Sequence, residues 1–65
     1  MTTAKERVEL ELNELEERLS KLKTFVLSEQ FSKLSSVQQM LLMSQIDIMT
    51  LYANCLHRRL KFWED

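Results

Sequence analysis

The chain has 65 residues, nine Lys or Arg against ten Asp or Glu, one Cys, one His, and neither glycine nor proline. Near-neutral charge withholds the basic footprint of a nucleic-acid binder, and the lack of glycine excludes phosphate-cradling glycine loops. A lone Cys with a lone His supplies neither an internal disulfide nor a structural zinc site, and a chain this short buries only about 60% of the surface that unfolding exposes.

The first element is expected to start at Thr3, whose hydroxyl can cap a free backbone N–H while Glu6, three residues on, completes a capping box. From there Val8, Leu12, Leu15, Leu19, Leu22 and Val26 recur alternately four and three apart. That rhythm draws one narrow apolar stripe on a helix, which is buried only against another helix. The predicted helix covers about 4–27. Its polar face supports itself through Glu14 with Arg18 and Glu17 with Lys21, each pair worth about 0.2–0.5 kcal/mol. The carboxylates of Glu14, Glu16 and Glu17 lie among these bases on a solvated face, so no acid–base site is read from them.

The interval Ser28 to Ser36 holds four serines, with Phe31 and Leu34 among them, and the turn is placed at about 28–35. Serine competes with the helix by bonding its own backbone, so this interval reads as a turn whose two apolar residues plug the end of the core. A second capping box is available at Ser35 with Gln38, which places helix two at about 36–62.

Helix two carries Leu42, Ile46, Met49, Ala53, Leu56, Leu60 and Trp63, a second stripe in step with the first, so the chain is expected to fold as an all-α antiparallel two-helix hairpin over 1–65. A further series, Val37, Leu41, Ile48, Leu51, Cys55 and Phe62, interrupted by Ser44 and Arg58, points roughly opposite. One partner helix cannot cover both sides. The expectation is a homo-oligomer, a dimer or higher, with Leu41, Ile48, Leu51, Cys55 and Phe62 at its interface, most simply a dimeric four-helix bundle. The apolar window from Val37 to Leu56 contains Gln38, Gln39, Gln45, Asp47 and Asn54, which suits a buried helix and not a membrane span.

Few side chains in helix two suggest chemistry. Cys55 and His57 fall about 200° apart around the axis, so they do not form a nucleophile and base; Cys55 is expected as a small core residue and His57 at an edge. Met49 continues a stripe, whereas Met40 and Met43 fall outside both series and are candidates for an exposed contact patch. Tyr52, at the edge of the apolar side, can pack its ring and keep its hydroxyl wet, and is a further contact candidate. The end of the chain gathers Arg58, Arg59 and Lys61 with Phe62 and Trp63. That combination neutralises phosphates and stacks on bases, although cations there also complement the helix dipole and Trp63 also completes a core stripe.

The run ELNELEERLSKLKTF, then Ser28, Phe31 and Leu34, then SVQQMLLMSQ with Met49, Tyr52, Leu56, Arg59 and Leu60, resembles small helical-hairpin proteins of bacteriophage accessory or early regions. These include families related to crAss-like phages and small proteins encoded between exonuclease and excisionase in lambdoid phages. The resemblance implies a protein of the bacterial cytoplasm that modulates host physiology or phage development. It brings no catalytic residues. The amino-terminal residues are charged from Lys5 onward, which does not fit a secretory signal.

The functional expectation is therefore a non-enzymatic protein without cofactor or metal that occupies a host macromolecule, with Met40, Met43, Tyr52, Arg58, Arg59, Lys61 and Trp63 as contact candidates. Two alternatives stand beside it. In one, symmetry gathers Arg58, Arg59 and Trp63 of several copies around a signalling nucleotide; in the other, the chain is a nucleic-acid-binding regulator, which the charge balance disfavours.

Overall fold

The computed structural model describes residues 3–64, so the outermost positions of the expected 1–65 unit lie outside the described residues. Helix α1 spans Ala4–Val26, the single turn α2 spans Glu29–Ser32, and α3 spans Ser36–Lys61. Thr3 caps α1 as expected: its hydroxyl accepts from the Glu6 amide at 3.1 Å. The same hydroxyl donates to the Glu6 carboxylate at 3.2 Å. Ser35 caps α3 by accepting from the Gln38 amide at 3.2 Å.

The connection reverses the chain without a single positive φ among the described residues. Two serines make this possible. Ser28 and Ser35 hold extended values, ψ 162 and 155, between helical neighbours, and each interrupts the helical path while keeping φ negative. The expected open turn contains the short α2, because the interval satisfies its own backbone: the Ser28 hydroxyl donates to the Phe25 carbonyl and the Ser32 hydroxyl to the Glu29 carbonyl, both at 2.6 Å. The Gln39 amide donates to the Leu34 carbonyl at 3.0 Å. Phe31 stands edge-on to Phe25, ring centroids 6.4 Å apart and planes at 87°, so the interval does close that end of the core.

Helices α1 and α3 pack along their length in a body of 48 × 19 × 14 Å. Val8, Leu12 and Leu15 near the start of α1 form one cluster with Ala53 and Leu56, with Leu60 and Trp63 near the end of α3 packed against it. That pairing of a beginning with an end fixes the antiparallel hairpin. Leu56 is 1% exposed and centres the cluster. The stripes read from the sequence are those the structure buries, with Leu22, Val26, Leu42 and Met49 half-buried toward the turn. The polar pairs Glu14–Arg18 and Glu17–Lys21 form at 4.0 and 3.3 Å on the exposed side of α1, where screening leaves them little energetic weight.

Among the described residues, no helix packs over the second series on α3. Val37, Leu41, Ile48, Leu51 and Phe62 are all more than half exposed. Cys55, expected as a small core residue, lies on this uncovered side and is exposed. The correction follows from angle: Cys55 shares the azimuth of Ile48 and Leu51 and not that of Ala53 and Leu56. No helix among the described residues is long and apolar enough to cross a membrane.

Candidate functional site

Arg58, Arg59 and Lys61 lie in the last turn of α3, where cations meet the negative end of the helix dipole. All three are exposed and, among the described residues, none is in an ion pair. Leu51, Asn54, Cys55, Arg58 and Arg59, all on α3, line a shallow, open cleft of about 530 Å³. Leu51 and Cys55 belong to the uncovered apolar side; Asn54 and Arg58 stand one helical turn apart and bring an amide and a guanidinium to the same opening. Guanidinium groups present N–H donors in a flat fork that matches phosphate and carboxylate oxygens two at a time. The open surface thus sets apolar and anion-seeking side chains next to one another.

Arg59 also borders a second cleft of about 390 Å³ with Phe62, Trp63 and Glu64. The Glu64 carboxylate makes this one less hospitable to anions. The Lys61 ammonium lies 5.4 Å from the centre of the Phe62 ring, a cation–π contact at an exposed position.

The flanks of the hairpin are tied by two polar pairs. The Tyr52 hydroxyl donates to the Glu11 carboxylate on one flank, and His57 Nε2 lies 3.3 Å from a Glu16 carboxylate oxygen on the other. The Tyr52 phenol is pushed above its ordinary value of 10.0. The chief cause is its hydrogen bond to Glu11, which favours the protonated phenol; desolvation and the Glu11 charge add to it, and Arg59 works against it. Among the described residues no group of three or more His, Cys, Asp or Glu is placed to hold a metal.

The family model described as Sequestin matches residues 2–62. The chain belongs to the Sequestin family. The match takes in both long helices, the connection and Arg58, Arg59 and Lys61; it names neither of the phage groups that the sequence resembles. No curated protein and no solved structure matches the chain.

In this member of the Sequestin family the residues singled out from the sequence separate into three groups. Met40 and Met43 are 61% and 47% exposed, away from the core, while Met49 packs against it. Trp63 is half-buried against the core cluster, so its indole serves packing and the exposed aromatic beside the cations is Phe62. Tyr52, expected with a wet hydroxyl, gives that hydroxyl to Glu11, and His57 does stand at the edge. The roles of three residues escaped the sequence reading. Asn54 joins the first cleft, and its signal was the four-residue spacing to Arg58; Glu11 and Glu16 flank the α1 stripe, the positions from which side chains reach across a helix pair.

Proposed function

We propose that this chain sequesters a small anionic ligand, of the class of signalling nucleotides, by holding it without chemical change in the cleft of Asn54, Arg58 and Arg59 while copies associate through the uncovered side of α3. The observation that carries this reading is the composition of that cleft. Leu51 and Cys55 of the apolar side and the unpaired Arg58 and Arg59 border one opening, so the surface that needs a second copy and the surface that attracts phosphates are continuous. The name of the family, which speaks of sequestration, points the same way.

Energetics support association. A second copy would remove from water ten side chains that are each more than half exposed in the single chain. At about 1 kcal/mol apiece, their burial is of the same order as an association cost of about 4–15 kcal/mol. Binding suffices for such a role, and with no nucleophile–base pair among the candidates we assign no catalysis. The setting in which a sponge for a signalling nucleotide is useful is counter-defence by a phage in the bacterial cytoplasm, in keeping with the resemblance to phage accessory proteins.

A second reading, capture of a host protein, rests on Met40 and Met43, adaptable side chains that are exposed outside both stripes. Calorimetric titration with cyclic and linear nucleotides, together with mass spectrometry of small molecules released by heating protein purified from infected cells, separates the two. We expect a nucleotide in the released fraction, and at least tenfold weaker binding by Arg58→Glu. A protein free of ligand that instead retains one host protein in stoichiometric amount, lost with Met40→Glu, would replace sequestration with the second reading. Affinity for DNA or RNA that falls steeply with salt would favour a nucleic-acid regulator.

A further inference from the structure

The pattern on the uncovered side of α3 specifies how a second copy sits on it. The eight positions of that side, Val37, Leu41, Ser44, Ile48, Leu51, Cys55, Arg58 and Phe62, alternate four and three, and their numbers fall into pairs about one centre between Ile48 and Leu51. All eight are exposed. We propose that two copies pack α3 against α3 in antiparallel register about this centre, and that each cleft of Asn54, Arg58 and Arg59 is completed by Leu41 and Ser44 of the partner subunit. The arrangement rests on the self-association proposed above and adds its geometry.

Two features favour it over the parallel alternative. The first is charge. Between Ser36 and His57, α3 has no Lys or Arg and one acid, Asp47, whereas Arg58, Arg59 and Lys61 crowd its last turn. Parallel packing would set six cations and two helix C-termini side by side; antiparallel packing sets each trio against the cation-free half of its neighbour and opposes the helix dipoles. The second is size. Antiparallel layers put the large Ile48 against Leu51 and the small Ser44 against Cys55, and lay the aliphatic stem of Arg58 along Leu41 while its guanidinium stays at the surface. Parallel layers would bury Arg58 against Arg58. In antiparallel register Cys55 is displaced from its own copy by eleven residues, about 16 Å along the axis, which makes the register testable.

A consequence for the ligand follows. The Arg58 of one copy lies level with Leu41 of the partner subunit, so the two clefts are seventeen residues, about 25 Å, apart along the axis. Each dimer holds two ligands separately, one at each end, where a parallel pair would hold one between both copies.

Crosslinking tests the register without any ligand. Under mild oxidation with diamide, which takes the two electrons as each disulfide forms, Ser44→Cys should give a covalent dimer in which a peptide containing position 44 is linked to one containing position 55. The wild type and the double variant Ser44→Cys, Cys55→Ser should stay uncrosslinked. Ser44 is exposed and the change is small, so folding is kept, as circular dichroism would verify. A Cys55–Cys55 link in the wild type, or a 44–44 link in the double variant, overturns the antiparallel register but leaves self-association standing. A monomeric mass by light scattering at high protein concentration overturns both.

Discussion

Helix α3 has two apolar sides of similar composition and opposite fates. On one, Ile46, Ala53 and Leu56 are 9% exposed or less; on the other, Ile48, Leu51 and Phe62 are 65% to 69% exposed. Hydropathy does not separate them, since each side would gain from leaving water. Connectivity does. A short connection delivers α1 to one side at the modest entropy cost of closing a small loop, whereas the other is left to water by the fold and, in the proposed assembly, is covered only when a second molecule arrives. The same rhythm is therefore a folding instruction on one side and, in the proposed assembly, an instruction for association on the other.

The largest effect that can break this contrast belongs to Leu56. Replacing Leu56 with Ala should lower stability by about 2–5 kcal/mol, and Leu56→Asp should abolish the helical signal in circular dichroism; a helical Leu56→Asp protein would mean that the α1–α3 side is not the core. Next comes Leu51→Glu. The wild-type melting temperature should rise with protein concentration, and the variant should keep its helicity, lose that dependence and show the single-chain mass of 7.8 kDa by light scattering. Ser35→Ala should cost about 0.5–2 kcal/mol through the lost α3 cap, read by urea denaturation, and leave the associated mass unchanged.

The smallest effect is confined to alkaline solution. Because the Tyr52 phenol is held above its ordinary 10.0 by Glu11, the pair favours the folded state while the phenol is protonated. Its contribution is present below pH 10 and lost as pH rises through the higher folded value. Ultraviolet titration should show the phenol returning toward its ordinary value in Glu11→Gln, with stability at neutral pH changed little.

Most of the hairpin was legible because its physics is periodic. Six stripe positions on α1 and seven on α3 announced the buried sides, and Thr3 and Ser35 announced where the helices begin. The turn α2 was not legible, since its four residues are too few for a period and owe their helicity to local serine hydrogen bonds. For Cys55 the spacing placed it on the side opposite the first stripe, where it lies, and only the step from smallness and apolarity to burial failed. At the basic end the residue types were plain, but their assignment needed coordinates: packing draws Trp63 inward and leaves Phe62 out, and the cleft recruits Asn54. Tyr52 and His57 found partners on α1 that lie 41 positions away, a relation no local pattern conveys.

The closed end, with Phe25 edge-on to Phe31, also sets an order of events in folding. Residues beside the connection meet across short loops, while Val8 meets Leu60 and Trp63 only after nearly the whole chain has been reversed. Helix termini fray before packed positions, here outside the buried cluster of Val8, Leu12, Leu15, Ala53 and Leu56. Amide exchange should be fastest in the first turn of α1 and the last turn of α3. A ligand gripped by Arg58 and Arg59 would then act as a clasp on the end that opens first, slowing exchange there more than anywhere else in the molecule.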